Sequence, residues 1–446
     1  MKYINPSQFL ILIIFVITSY VSNAHDMVPG AKQDSPILLK NGTIHTITGA
    51  TIVGGDLLFE NGKIVAVTRT IDPPKGSVVI DVTGKHIYPG LISGISSIGL
   101  VEISSISASI DLGEREALNP NLRAEVAVNP DSEIIPVTRA NGILFAHVTP
   151  LNSRGGLIGG QTALLNLDGW TTEDMTFRSS IGMRITWPSD PQLRGFQIDP
   201  SSVDDPKKAE ENYAKKIKEL EQAFADARAF WKAKDQGKKV LDVDLRWESL
   251  GPVLKKEIPV LVYANSVRQI RDAINWVKKE GFEMILTGGA DAWRIAELLG
   301  ENHIPVIIGN VNTTTRRRSD AYDTPFKNPA ILHKAGVRFA IAFSSGAPNE
   351  ANERNLPYEA GRAVAFGLPR EEAIKAITQY PAEILGVADR LGSLEVGKDA
   401  SLIVTNGDPL DIRSNVELAF IQGRSVELSS RHTQLYEKYQ KRYLQN

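Results

Sequence analysis

Six polar side chains follow predicted strands and are candidates for binding a ligand: His147, Asn265, Asn310, Arg317, Glu353 and Arg354. The two arginines could each hold a carboxylate through a pair of parallel hydrogen bonds. Loops that follow strands carry the binding residues of many α/β proteins. Two simpler interpretations remain open: the arginines are solvated loop charges, and His147 is an ordinary hydrogen-bonded histidine.

Metal-binding side chains are scarce. The 446-residue chain has seven histidines and no cysteine, which excludes disulfides, thiolate ligands and a catalytic cysteine. Only His147 stands at the predicted C-terminal end of a strand, and one histidine does not make a zinc site. No nucleotide-binding glycine motif or serine-hydrolase motif is present. The formal net charge of -2 gives no reason to expect nucleic acid as a partner.

Strands and helices alternate between residues 91 and 391, most clearly from 259 to 387. Such alternation is typical of a parallel sheet, and over about 300 residues it favours a closed (β/α)8 TIM-type barrel. Residues 205–235 form a long charged helix inserted into this region. Its apolar stripe predicts packing on the barrel, with a partner-binding helix as the alternative.

The two ends of the chain have a different sequence pattern. Residues 36–90 and 392–430 are short apolar runs separated by Asn-Gly and Gly-Gly turns, which predicts β structure. Each part alone is too small for a core, so together they predict one composite β-sandwich. Residues 1–24 have the pattern of a secretory signal, and 431–446 are a charged tail. We therefore expect a periplasmic or secreted protein with no membrane span after signal cleavage.

Two segments carry a family resemblance. Residues 389–409 (DRLGSLEVGKDASLIVTNGDP) closely resemble the closing segment of the amidohydrolase superfamily, especially its imidazolonepropionase-like branch. Residues 80–92 (IDVTGKHIYPGLI) resemble the matching entry segment. The resemblance implies a barrel that carries a β-sandwich, and hydrolysis of C–N bonds other than peptide bonds. It also implies a metal, usually zinc, at the C-terminal ends of the strands.

The positions that match the family's metal ligands and catalytic aspartate hold unsuitable residues: Ile95, Ser97, Tyr263, Thr287 and Ser344 (or its neighbour Ser345). Isoleucine cannot bind a metal, and neutral hydroxyls are poor ligands for zinc. Arg184 matches the position of a bridging lysine found in some members. Its guanidinium stays protonated and cannot take that part. The sequence thus predicts no metal at this site.

Two functions remain open. The first is a non-catalytic relative that binds a small amide or peptide, or acts as partner to an active amidohydrolase. The second is an active hydrolase of cyclic amides or dipeptides that uses a non-standard site. The missing ligands favour the first.

Overall fold

The computed structural model describes residues 27–152, 155–191, 205–237, 244–343, 346 and 349–445. The predicted signal segment 1–24 and Ser344 lie outside these residues. The strands are β1 (Ile37–Ile44), β2 (Ile52–Glu60), β3 (Lys63–Thr68), β4 (Val78–Asp81), β5 (His86–Pro89), β6 (Leu91–Ser96), β7 (Ile143–Val148), β8 (Ile158–Gln161), β9 (Ala163–Asn166), β10 (Thr176–Arg178), β11 (Met183–Thr186), β12 (Val260–Ala264), β13 (Met284–Gly288), β14 (Val306–Ile308), β15 (Phe339–Ile341), β16 (Leu402–Thr405), β17 (Val416–Ile421) and β18 (Arg424–Ser425).

The α-helices are α1 (Ile134–Arg139), α2 (Thr172–Met175), α3 (Pro206–Asp235), α4 (Leu245–Ser249), α5 (Gly251–Leu254), α6 (Val267–Glu280), α7 (Ala296–Glu301), α8 (Thr324–Lys334), α9 (Leu356–Ala365), α10 (Arg370–Lys375), α11 (Gln379–Ile384) and α12 (Arg431–Leu444). Short 3₁₀ turns precede several of them, including Glu350–Asn355 before α9. Within the described part of the chain, no helix combines the length and apolarity needed to cross a bilayer.

Both ends of the chain meet in one eight-stranded sheet. Its order is β18-β17-β16-β5-β1-β2-β3, and β4 also pairs with β1. β1 bonds to three strands, with residues 37–40 beside β4 and residues 43–44 beside β5, so that all eight strands belong to one hydrogen-bonded network. The packing of these strands as the two layers of a composite β-sandwich stays a prediction from the sequence. A separate hydrophobic cluster, including Phe59, Leu402 and Phe420, belongs to this sheet.

The region between these ends is a mixed α/β structure with two further sheets. One has the order β10-β9-β7-β6, and the other has the order β15-β14-β13-β12-β11-β8. The sheets are joined at Thr162, which separates β8 from β9 and bonds to both the N–H of Ile181 and the carbonyl of Gly182. They meet again beside β6, where a Cβ on Gly94 would lie 2.9 Å from Ile307 in β14.

Seven of these strands run parallel to a neighbour, whereas a TIM-type barrel predicts eight parallel strands. The difference lies in β8 and β9, which follow β6 and β7 and stand where the third strand of the barrel is expected. There β8 is antiparallel to β11, and β9 is antiparallel to β7. Residues 149–157 connect β7 to β8, which is shorter than the dozen or so residues that a parallel crossover requires. The chain must therefore return in the opposite direction at this position.

Helix α3 packs on α6 instead of extending from the protein. Asp205 caps its first turn by accepting a hydrogen bond from the N–H of Lys207, and Pro206 occupies the first helical position. The buried ring of Phe224 makes an edge contact with Trp276 of α6, with centroids 5.3 Å apart. The apolar stripe of α3 is thus covered within the chain, as the simpler interpretation of the sequence predicts.

Candidate functional site

Three side chains from neighbouring strands meet where the family resemblance would put a metal. Tyr263 on β12 pairs in register with Thr287 on β13, and Arg184 comes from β11 on the other side of β12. The Nη1 atom of Arg184 donates a hydrogen bond of 3.1 Å to the hydroxyl of Thr287. Its guanidinium carbon lies 4.9 Å from the centre of the Tyr263 ring. A cation therefore occupies the space between two of the substituted ligand positions.

Arg184 is almost completely buried, with 2% of its surface exposed. No acidic side chain pairs with it among the described residues, and its Nε atom has no hydrogen-bond partner there. Burial lowers the pKa of the guanidinium, and the nearby Tyr263 hydroxyl partly opposes this effect. The lowered pKa is about 10, so the group remains charged at neutral pH.

Zinc does not fit this donor set. Ile95 lies in the main hydrophobic cluster, and the Ser97 hydroxyl accepts a hydrogen bond of 3.0 Å from the N–H of Gly346. Thr287 already accepts a hydrogen bond from Arg184, whose positive charge would repel a divalent cation. Across the described residues, no group of three or more histidine, aspartate or glutamate side chains is arranged to hold a metal.

A β-bulge in β6 determines which of its serine side chains face the buried carboxyl group of Glu353. Ser93 pairs with Ala146 and Ser96 with Val148, so three steps on β6 match two on β7. The bulge turns Ser96 to the same side as Ser93, and both hydroxyls lie near the carboxyl group of Glu353. Ser96 donates to Glu353 Oε2 at 2.5 Å, whereas the other carboxyl oxygen has no partner among the described residues.

Glu353 is 2% exposed. Burial raises the pKa of its carboxyl group to about 7, although the two serine hydroxyls oppose the rise. The neighbouring Glu350 contributes to the increase by charge repulsion. Glu353 is therefore a buried acid that changes protonation near neutral pH.

His147 has a structural environment. It is fully buried, its Nδ1 lies 2.8 Å from the carbonyl oxygen of Gly94, and its Nε2 lies 2.7 Å from the hydroxyl of Thr162. A carbonyl only accepts, so Nδ1 carries the proton and Nε2 accepts from the threonine. Burial lowers the pKa of the ring to about 4. A neutral histidine with both nitrogens occupied links β6 to the junction at Thr162 and has no free atom for a ligand.

A polar cavity of about 230 Å³ opens beside Tyr263 at the C-terminal ends of β12, β13 and β14. Two of the predicted residues, Asn265 and Asn310, line it together with Trp293 and Arg316. The side chain of Asn265 is partly used, because it accepts a hydrogen bond of 3.2 Å from the N–H of Ala290. A larger cavity of about 700 Å³ lies at the opposite ends of the same strands, far from these polar groups.

The two arginines expected to hold a carboxylate are engaged with the protein itself. Arg317 makes two hydrogen bonds, of 2.8 and 2.6 Å, to the buried carboxylate of Asp291, which raises the pKa of its guanidinium. Arg354 lies 3.2 Å from a ring nitrogen of His432 in α12. Neither arginine lines the cavity beside Tyr263. The sequence predicts that Arg317 can hold a carboxylate through two hydrogen bonds, and it does so, but the carboxylate belongs to Asp291 and not to a ligand.

One residue of this region, Asn152, has no role in the sequence-based expectations. Both polar atoms of its side-chain amide are buried without a hydrogen-bond partner among the described residues. Asn152 Oδ1 and Arg184 Cγ both lie against Gly159, where a Cβ would come 3.3 Å from Arg184 Cγ and closer still to the asparagine. The signal in the sequence is Gly159 itself, within the glycine-rich segment that follows Asn152.

Comparisons with known proteins agree on one family. Residues 361–427 match the model of the amidohydrolase family. The amidohydrolase tasK of Hapsidospora irregularis is 21% identical over 395 residues, which are 83% of this chain and 39% of that protein. The imidazolonepropionase of Bacteroides thetaiotaomicron is 27% identical over 161 residues, or 32% of this chain and 38% of the relative. The crystal structure of an amidohydrolase from Thermotoga maritima aligns with a TM-score of 0.76 and 27% identity, covering 88% of this chain and 99% of that chain.

The matches to the curated relatives are partial. The aligned part of this chain covers about two fifths of the length of tasK and of the imidazolonepropionase. The Thermotoga maritima amidohydrolase, in contrast, matches over almost its whole length.

Proposed function

Because the chain belongs to the amidohydrolase superfamily, we propose that it is an exported member in which a buried arginine has replaced the metal, and that it binds a small amide or peptide without hydrolysing it. The observation that carries this proposal is the position of Arg184 between Tyr263 and Thr287. The signal-like pattern of residues 1–24 supports export.

The chemistry of the family explains why this replacement matters. The family hydrolyses C–N bonds, and its metal lowers the pKa of a bound water so that hydroxide can attack the amide carbonyl. A guanidinium cannot generate hydroxide in this way, since it is already protonated and has no lone pair for a base. It can still donate hydrogen bonds to a carbonyl or carboxylate oxygen. The same position therefore suits binding better than hydrolysis.

The proposal extends to the architecture of the binding region. We propose that the four-stranded and six-stranded sheets are two arcs of one β/α barrel, with the composite β domain beside it. The junction at Thr162 and the contact of Gly94 with Ile307 support this. On such a barrel, ligands bind at the C-terminal ends of the strands. The cavity beside Tyr263 lies at that end.

Metal content and hydrolysis test the proposed function directly. The purified protein is incubated with excess zinc, freed of unbound metal by gel filtration, and measured by elemental analysis. It is then assayed against cyclic amides, N-acyl amino acids and dipeptides. We expect far less than one equivalent of zinc and no turnover above background. One tightly held equivalent of zinc, together with hydrolysis that a chelator abolishes, would overturn the proposal.

A second candidate function is hydrolysis at a non-standard, metal-independent site, and Glu353 is the observation that favours it. A carboxyl group whose pKa is raised to about 7 is suited to general acid or base catalysis. Hydrolysis that survives a chelator and is lost in Glu353→Gln would support this candidate. The role of partner to an active amidohydrolase stays a prediction from the sequence.

A further inference from the structure

Arg184 differs from the other deeply buried arginine with which it can be compared. The side chain of Arg139 is 4% exposed and forms an ion pair with Asp168 at 3.1 Å. It also donates hydrogen bonds to the carbonyls of Glu427 and Leu167. Arg184 is buried to the same degree, yet the described residues give it one hydrogen bond, to a neutral threonine. A buried charge without a counterion is unfavourable, so a bound anion would stabilise the guanidinium of Arg184.

The guanidinium is also held in a fixed orientation. Thr287 accepts from Nη1, and the ring of Tyr263 lies under the guanidinium carbon. These contacts leave Nε without a partner among the described residues. A planar group with two oxygens can bind the Nε–Nη2 edge of an arginine through two parallel hydrogen bonds. A carboxylate has this shape.

Asn152 supplies a second, independent sign of a ligand. Its side-chain amide is buried, both of its polar atoms lack partners among the described residues, and it lies against Gly159 together with Arg184. An unpaired buried amide is unfavourable, because it has lost its hydrogen bonds to water and gained none in the protein. Its NH₂ group can donate to an anion and its oxygen can accept from an amide N–H. An N-acyl amino acid or a peptide C-terminus offers both groups.

We propose that Arg184 and Asn152 bind the carboxylate end of a small N-acylated amino acid or peptide. This inference rests on the proposed function, because it names the class of ligand for the same metal-free site. The acyl end of the ligand would extend toward the polar cavity that Asn265 and Asn310 line.

Tyr263 stands between the cavity and the arginine. Its ring borders the cavity and lies against Gly288, where a Cβ would come 2.9 Å from Tyr263 Cε2. The same ring is stacked with Arg184. Tyr263 is 36% exposed, which leaves it room to turn. A ligand that reaches Arg184 from the cavity must move this ring, so binding will change the environment of Tyr263.

Calorimetric titration with N-acetylglycine and its neutral analogue N-acetylglycinamide tests the proposal. We expect N-acetylglycine to bind the native protein and the neutral analogue to bind roughly tenfold or more weakly, because its amide has no negative charge and only one acceptor oxygen. Arg184→Met removes the charge and should abolish the preference. Arg184→Lys keeps the charge without the planar fork and should bind roughly tenfold more weakly. Arg413→Met, at an arginine whose side chain is 86% exposed, is the matched control and should bind like the native protein.

The outcomes distinguish a failure of the proposed carboxylate site from a failure of the proposed function. Equal binding of the acid and the amide, in a protein that holds no zinc and hydrolyses nothing, would overturn the carboxylate site and leave the proposed function standing. Tighter binding of inorganic phosphate than of any carboxylate would overturn the ligand class. Loss of binding in Arg316→Met but not in Arg184→Met would assign the anion to the cavity mouth and also overturn it. Thermal melting of Arg184→Met checks folding, and we expect its Tm to be at or above that of the native protein.

Discussion

At the scale of single residues, Glu353 makes the stability of the protein depend on pH. Burial raises the pKa of its carboxyl group from 4.5 in the unfolded chain to about 7. Between these values the folded protein holds a proton that the unfolded chain has lost. The stability attached to this group is therefore fully present below about pH 4.5 and falls as the pH rises to about 7.

The variant Glu353→Gln removes this dependence, since a neutral amide has the same shape and no proton to lose. We expect the native protein to lose about 2–3 kcal/mol relative to the variant between pH 5 and pH 8.5. Urea unfolding of both proteins at the two pH values measures the change, and the titrating groups that do not interact with Glu353 cancel in the comparison. A difference in unfolding free energy that does not vary with pH would show that Glu353 is not a buried acid.

The sequence predicts which strand positions form this site better than it predicts the contacts between their side chains. The family pattern put Tyr263 and Thr287 on neighbouring strands, and they pair in register. The position of the Arg184 guanidinium between them depends on the reach of a long side chain, which no spacing encodes. The bulge that turns Ser96 toward Glu353 is equally invisible, because one extra residue leaves the apolar character of β6 unchanged.

At the scale of elements, strand direction was the feature that periodicity could not supply. The run from β8 to β9 is buried throughout and has the composition of a strand in either orientation. Only the short connection from residue 149 to 157 fixes its direction, since a parallel return needs a longer crossover. Connection length is therefore the better guide in the first half of this region, where the alternation of strands and helices is irregular.

Helix α3 contributes to the stability of the α/β region through its apolar stripe. Phe224 is fully buried and contacts Trp276 and Phe282, with ring centroids 5.3 and 5.1 Å apart. Beside them the Tyr213 hydroxyl donates to Asp272 at 2.7 Å and accepts from Trp187 at 3.1 Å. The helix is thus held by both aromatic packing and the hydrogen bonds of the Tyr213 hydroxyl.

The variant Phe224→Ala tests whether this packing stabilises the fold. It removes a buried ring and leaves a cavity, for which we expect a loss of about 3–5 kcal/mol in the free energy of unfolding. Lys218→Ala, at an exposed position of the same helix, is the matched control and should change it by less than about 0.5 kcal/mol. Urea unfolding measures both. Similar small losses in the two variants would mean that α3 does not pack firmly on α6.

At the scale of the whole molecule, the last strands complete a sheet that the first strands begin. β16 pairs with β5 along residues 402–405 and with β17 on its other side. The N–H of Ala400 bonds to the carbonyl of Gly62 at 2.8 Å, and the Lys63 ammonium pairs with Asp399. A domain formed from both ends of the chain cannot fold until the residues between them have been made.

Truncation separates the contribution of these strands from that of the tail. None of the residues of α12 is buried, and His432 makes its side-chain contact with a half-buried arginine, so removal of residues 431–446 should cost on the order of 1 kcal/mol or less. Removal of residues 392–446 takes β16 away from β5 and exposes the cluster around Phe59, which one half of the sheet cannot bury alone.

We expect the shorter truncation to give a monodisperse protein with native circular dichroism and cooperative unfolding. The longer truncation should aggregate or unfold without a transition, and a cooperative transition in it would show that the α/β region folds without the strands that close the sheet.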